Sequence, residues 1–232
     1  MFNKLTGVIL GAAITAAAGT LTFDTNDRGY YYSYDYSDST NKNYLTGQIN
    51  IGSTADGFNS FFEFNGLTGL TGPIVSATLN LFNPSGGYSS AQTSETLTID
   101  EFSGDTGVLD AGGTVTGEYA ALDSGTVFGT ATVSAADDGS FVTITLNANG
   151  IAFLNANGSN PFAFGGYLAG IDPADTSTRF VFGGSSYVIA NDDNTSLTVV
   201  TGASAAPEPG TWVLAGFGFA GLLVVRRRMQ QV

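Results

Sequence analysis

In Ser76-Ala77-Thr78-Leu79-Asn80-Leu81 every second residue is apolar, and only an extended strand places Ala77, Leu79 and Leu81 on one face with polar neighbours on the other. Val142, Ile144 and Leu146 repeat the pattern, with Thr143 and Thr145 outward. Short runs of this kind recur at Ser60 to Phe64, Thr96 to Phe102, Gly125 to Ser134, Phe162 to Leu168, Phe180 to Phe182 and Ser196 to Val200, separated by Gly, Asn, Asp and Pro clusters. Strands with one buried and one wet face require two sheets packed together. The expected fold is therefore all-β, an antiparallel, jelly-roll-like β-sandwich. One stretch breaks the rule: Ala148, Ile151 and Leu154 fall at helical spacing, with Asn residues for a cap and Gly158 as a stop, so one short helix is expected to close an end. No repeat of a solenoid or propeller is visible.

The two ends read differently. Lys4 precedes an uncharged apolar stretch, and Ala16-Ala17-Ala18 offers a small-x-small cleavage site, the pattern of a secretory signal peptide over residues 1–18. At the other end Pro207-Glu208-Pro209 lies in a linker, 203–211, and is followed by an apolar run from Trp212 to Val225 and a basic tail, 226–232, opening with Arg226-Arg227-Arg228. The prolines hold the linker extended. Fourteen apolar residues are short against the roughly 20 that usually span a bilayer. The interfacial Trp212, the glycines and the arginines nonetheless favour a tilted transmembrane helix, with the arginines on the cytoplasmic side. The sandwich is thus assigned to residues 19–202.

Ala206-Pro207-Glu208-Pro209-Gly210-Thr211-Trp212, a glycine-containing apolar helix and an arginine cluster, in that order at the C-terminus, resemble the PEP-CTERM sorting signal. Gly210 stands where serine is common. The resemblance covers about a tenth of the chain. It implies recognition by an exosortase, a membrane protease-transpeptidase of Gram-negative bacteria that make exopolysaccharide, removal of the tail, and a final place at the cell surface or outside the cell. A weaker resemblance, of Phe61 to Leu67 with Ile74 to Leu81, is to the strand pair of bacterial extracellular jelly-roll modules; it implies nothing about a ligand.

Between the end signals the body carries three cations, Arg28, Lys42 and Arg179, against nineteen carboxylates, a formal charge of −16. Such a field opposes nucleic acid and anionic lipid. Without cysteine the exported fold has no disulfide and relies on its core. Without histidine or cysteine, imidazole bases, thiol nucleophiles and their triads are excluded, and no phosphate loop is present. Carboxylate pairs, as in glycoside hydrolysis, are the remaining catalytic apparatus. Glu63 lies between Phe62 and Phe64, and strand alternation predicts that it marks a solvent face, with a groove as the alternative.

Oxygen-rich turns raise calcium as a structural ion rather than a resident cofactor. Asp24-Thr25-Asn26-Asp27-Arg28-Gly29 approaches an EF-hand loop, with Asp24 and Asn26 as ligands, but Arg28 occupies a ligand position. Asp137, Asp138, Asp192 and Asp193 sit in similar turns, where Asp and Asn equally cap their own backbone. Tyr30, Tyr32, Tyr34 and Tyr36 fall at period two and would line one face of a strand, where flat amphipathic rings suit either sugar stacking or packing against protein. The sequence as a whole points to a non-enzymatic exported surface or matrix protein with an exopolysaccharide-binding or scaffolding role. A carboxylate-dependent glycoside hydrolase or lyase and a calcium-dependent adhesin are the alternatives.

Overall fold

The computed structural model describes residues 18–38, 43–171, 176–183 and 195–203. Two antiparallel sheets face each other. The smaller has four strands in the order β1 (Gly19–Asp24), β13 (Thr195–Thr201), β6 (Ile74–Asn83) and β10 (Ser140–Thr145). The larger runs β12 (Arg179–Val181), β4 (Thr46–Asn50), β5 (Ala55–Phe64), β11 (Phe162–Leu168), β7 (Glu95–Phe102) and β9 (Val127–Val133), with β2 (Asp27–Tyr32) paired to the second half of β5. A two-residue pairing joins β3 (Tyr36–Ser37) to β8 (Gly113–Thr114).

Alternation explains the packing. Ala77, Leu79 and Leu81 of β6, with Leu197 and Val199 of β13, meet Phe62, Phe64, Leu97, Ile99 and Phe164 from the larger sheet in one core. Each buried Leu, Ile or Phe there contributes about 2 kcal/mol of transfer free energy. The sandwich expected from the sequence is the observed fold. One detail differs: β5 and β6, which contain Phe61–Phe64 and Ile74–Leu81, do not pair. They lie in opposite sheets, because the chain crosses the sandwich between them and both bury their apolar faces in the shared core.

The anticipated helix is α3 (Ala148–Asn157), capped by the side-chain Oδ1 of Asn147, which accepts from the Asn149 and Gly150 amides at 2.9 and 3.1 Å. The Asn155 side chain fastens it to β6, accepting from the Ile74 amide at 2.8 Å and donating to the Ile74 carbonyl at 2.9 Å. Two shorter helices, α1 (Thr106–Ala111) and α2 (Glu118–Ala121), add to it. They belong to the excursion between β7 and β9, which lies on the outer face of the larger sheet. Leu109 and Leu122 there form a second apolar cluster with Tyr31, Phe61, Phe102 and Ala163.

Among the described residues no helix is long and apolar enough to cross a membrane. The signal peptide over 1–18 lies outside the described residues except for Ala18. So do Pro207, Glu208 and Pro209, the segment from Trp212 to Val225, Arg226 to Arg228, and the calcium candidates Asp192 and Asp193.

Candidate functional site

Tyr30 and Tyr32 point to the same side of β2, as alternation requires, but the strand ends there and the four tyrosines do not share one strand. The Asp35 amide donates to the Tyr32 carbonyl at 2.8 Å, and Asp35 itself takes a left-handed backbone (φ 61°). Its carboxylate accepts from the Gly117 and Tyr119 amides at 2.9 and 3.1 Å, at the start of α2, and these bonds pin the turn.

The reversal brings the rings together. Tyr32 stacks on Tyr34 with centroids 4.8 Å apart, and Tyr34 on Tyr36 at 6.4 Å and 15°. Tyr30 meets Tyr32 edge-on at 5.3 Å. Phe58 of β5, which the sequence reading missed, supports Tyr30 and Tyr32 at 5.4 and 5.0 Å; the cross-strand pairing of Tyr32 with Phe58 was the signal, and it required knowing the register. Tyr30 is buried and Tyr32 half-buried. Tyr34 and Tyr36 are 56% and 38% exposed. Tyr36 also meets Tyr32 at 6.2 Å and 36°, so the patch is a compact three-sided cluster of Tyr32, Tyr34 and Tyr36 with Tyr34 and Tyr36 in solvent. Burial, then the neighbouring Tyr32, Asp56 and Tyr36, raises the Tyr34 pKa.

Glu63 does not mark a solvent face. It is 3% exposed, because α1 covers the outer side of β5 that alternation assigns to it. It stands opposite Asp27 in the β2–β5 register, and carboxylate oxygens of Asp27, Glu63 and Asp110 lie within 4.8 Å of one another. Oxygen donors of this kind are what a hard divalent cation takes. They differ from the anticipated set: Asp24 and Asn26 are exposed, and Asp137 and Asp138 hold turns. Asp137 Oδ2 accepts from the Ser134 amide at 2.8 Å, and Asp138 Oδ1 from the Asn83 side chain at 3.0 Å and the Tyr88 amide at 2.9 Å. Arg28 turns inward, donates to Thr195 Oγ1 at 3.0 Å and lies 5.5 Å from the Tyr44 ring centroid.

A further carboxylate went unnoticed in the sequence. Asp100 is fully buried on the outer face of β7, with Oδ2 accepting from the Gly125 amide at 2.9 Å. Burial, with the carboxylates of Asp123 and Glu101 adding to it, pushes its pKa up to about 7. Nothing in the alternation marked it, since the helices that cover it come from a segment without a strand pattern.

The architecture is thus an all-β sandwich carrying an aromatic patch at the edge of its larger sheet, with a C-terminal address. Residues 205–228 match the PEP-CTERM protein-sorting motif. That motif implies export, transient membrane anchoring and exosortase processing. No curated protein matches the chain.

Proposed function

We propose that the exported sandwich is a non-catalytic protein of the cell surface or extracellular matrix that binds exopolysaccharide through Tyr32, Tyr34 and Tyr36. The observation that carries this reading is the cluster of three tyrosine rings, two of them exposed. Aromatic faces stack on the apolar faces of sugar rings, and each phenol adds a hydroxyl for the sugar's own. Rings already stacked in the free protein lose little side-chain freedom on binding. The burial of Glu63 beneath α1 weighs against a hydrolytic cleft built on it, because a glycosidase needs two carboxylates flanking a bound sugar chain.

Affinity electrophoresis through gels containing the host's exopolysaccharide tests the reading. The Tyr34→Ala/Tyr36→Ala double variant is expected to lose most of its retardation while keeping its melting temperature. Unchanged retardation overturns the assignment to this patch. Intact mass in hosts with and without exosortase tests the sorting: loss of residues near 207–232 only when the enzyme is present is expected, and a retained tail in both hosts contradicts it.

A further inference from the structure

Two buried oxygens meet under the end of α2. Asp100 stands opposite Gly165 in the β7–β11 register, and a Cβ at Gly165 would touch both Asp100 Oδ1 and the Leu122 carbonyl oxygen. With only a glycine there, the two oxygens share one space. Asp100 is fully buried, and its Oδ1 meets no hydrogen-bond donor among the described residues; its Oδ2 accepts from the Gly125 amide at 2.9 Å. A carbonyl oxygen can only accept, and so can a carboxylate. The ionised side chain would therefore set two acceptors side by side with no proton between them, where an unmade bond to a charged group is most costly. The carboxylic acid has an O–H to give.

The surroundings favour the acid too. Asp123 faces Asp100 from the excursion, Glu101 lies beside it on its own strand, and Tyr167 approaches from β11. Val127 stands opposite on β9, and the excursion, residues 103–126, contains no lysine or arginine. Burial and like charge act in one direction, which is why the pKa reaches about 7.

The segment lying on Asp100 also shapes the tyrosine cluster. At its near end are Leu122, Asp123 and Gly125; at its far end the Gly117 and Tyr119 amides hold the Asp35 carboxylate at 2.9 and 3.1 Å, and the Val115 amide donates to the Asp35 carbonyl at 3.0 Å. Asp35 sits between Tyr34 and Tyr36 with φ at 61°, a backbone that a residue other than glycine keeps only where its surroundings impose it. Between the two ends Asn59 Nδ2 donates to the Tyr119 carbonyl at 2.9 Å and to Asp123 Oδ2 at 3.2 Å. No residue of α2 itself is buried. The segment is thus held by polar bonds at its ends more than by apolar packing, and such segments open locally at low cost.

We propose that the proton on Asp100 is a latch for the tyrosine cluster: the acid donates from Oδ1 to the Leu122 carbonyl and holds residues 117–125 on the sheet, and its loss to solvent frees that segment and, through Asp35, lets Tyr34 and Tyr36 part. Only the O–H bond breaks, and water or hydroxide takes the proton. The ionised side chain keeps the Gly125 bond but repels the Leu122 carbonyl and Asp123. Asp100 is a positioning residue here, acting through α2 and touching no sugar. That the latch controls binding rests on the polysaccharide reading above; that it controls the cluster's geometry does not.

Amide hydrogen exchange, corrected for its intrinsic pH dependence, tests the latch without polysaccharide. In wild type, protection of peptides covering 33–37 and 117–125 is expected to fall together, by about tenfold for each pH unit above the Asp100 pKa, while β6 and β13 stay protected. Asp100→Asn, whose amide donates where the O–H does and whose oxygen accepts from Gly125, should hold both segments protected at every pH. Asp123→Asn, which removes a like charge and keeps an acceptor for Asn59, should move the wild-type midpoint to lower pH. Affinity electrophoresis in gels of the host's exopolysaccharide, referred to polymer-free gels, should show wild type retarded more on the acid side of the midpoint and Asp100→Asn retarded equally on both. Flat protection in wild type, an equal fall in Asp100→Asn, or a midpoint unmoved by Asp123→Asn overturns the latch. Opening of 117–125 with 33–37 unchanged overturns its link to the tyrosines. If both segments open as expected but no retardation occurs at any pH, the latch stands and the polysaccharide reading falls.

Discussion

The Gly125 amide donates to Asp100 Oδ2 at 2.9 Å, and this bond closes the excursion carrying α1 and α2 onto the larger sheet. The acid it closes on is fully buried and has its pKa raised from 3.8 to about 7 by burial, then by Asp123 and Glu101. Asp123 and Glu118, both on the excursion, are raised as well, chiefly by burial. A group that binds its proton more tightly when folded stabilises the fold fully below its unfolded pKa and loses that contribution as pH rises through the folded value. Melting temperature is therefore expected to fall between pH 4 and about 7, by an amount corresponding to on the order of a few kcal/mol, and to level above that. Asp100→Asn, which stays neutral and keeps an acceptor for Gly125, should flatten the fall. A profile in the variant as steep as in wild type would remove Asp100 as its source.

Gly165 of β11 is where that acid and the excursion meet. A Cβ at this position would run into Asp100 Oδ1 and the Leu122 carbonyl, one on the sheet and one on the segment lying over it. Gly165→Ala should therefore cost about 1–3 kcal/mol by overpacking, read as a lower urea midpoint. The opening should appear first as faster amide exchange in residues 106–126 rather than in β6 or β13, whose core lies on the other side of the sheet.

How much of this was legible depended on whether one face of an element told the whole story. β6 and β10 alternate cleanly because one side is core and the other water, and the sequence placed both within two residues. β2 reads Asp-Arg-Gly-Tyr-Tyr-Tyr and is buried along almost its whole length, since α1 covers one face and the opposite sheet the other. Alternation has no contrast to show in such a strand. The same covering layer reversed the expectation for Glu63 and hid Asp100. The tyrosine spacing was visible, but the turn at Asp35 that stacks the rings depends on bonds from Gly117 and Tyr119, more than 80 residues away.

Glu95 and Arg179 act on stability in the opposite sense. Arg179 Nη2 and Nε donate to Glu95 Oε2 and Oε1 at 2.7 and 3.0 Å, and Ser90 Oγ adds a bond to Oε1 at 2.6 Å. Burial alone would raise the Glu95 pKa, but the Arg179 and Ser90 hydrogen bonds with the Arg179 charge outweigh it and hold the pKa below 4.5. The contribution of this pair is present above the unfolded pKa and lost as pH falls through the lowered one. Together with Asp100 it sets a stability maximum on the acid side of neutrality. Arg179→Met, which leaves Glu95 buried with the Ser90 hydrogen bond but no counter-ion, is expected to cost about 3 kcal/mol at pH 7 and less near pH 3, measured by urea denaturation. An equal loss at both pH values would mean that the arginine acts through packing alone.

Adjacent tyrosines provide the sharpest separation of scaffold from surface. Tyr31 points to the opposite side of β2 from Tyr30 and Tyr32; it is fully buried among Phe61, Leu109 and Leu122, and its hydroxyl donates to the Val108 carbonyl at 3.3 Å. Tyr34, three residues on, is 56% exposed. Tyr31→Ala opens a cavity under α1 and should cost about 3–5 kcal/mol, whereas Tyr34→Ala removes an exposed ring that packs on the half-buried Tyr32 and the exposed Tyr36 and should cost about 0.5 kcal/mol. Tyr31→Phe keeps the ring and loses one hydrogen bond, for about 1 kcal/mol. Denaturation midpoints and glycan retardation measured on the same three proteins should therefore separate: the Tyr31 variants lose stability and, while folded, keep their binding, and the Tyr34 variant does the reverse. A Tyr34→Ala protein as unstable as Tyr31→Ala would make the exposed rings part of the scaffold, and the tyrosine cluster would then have no reason to be read as a binding surface.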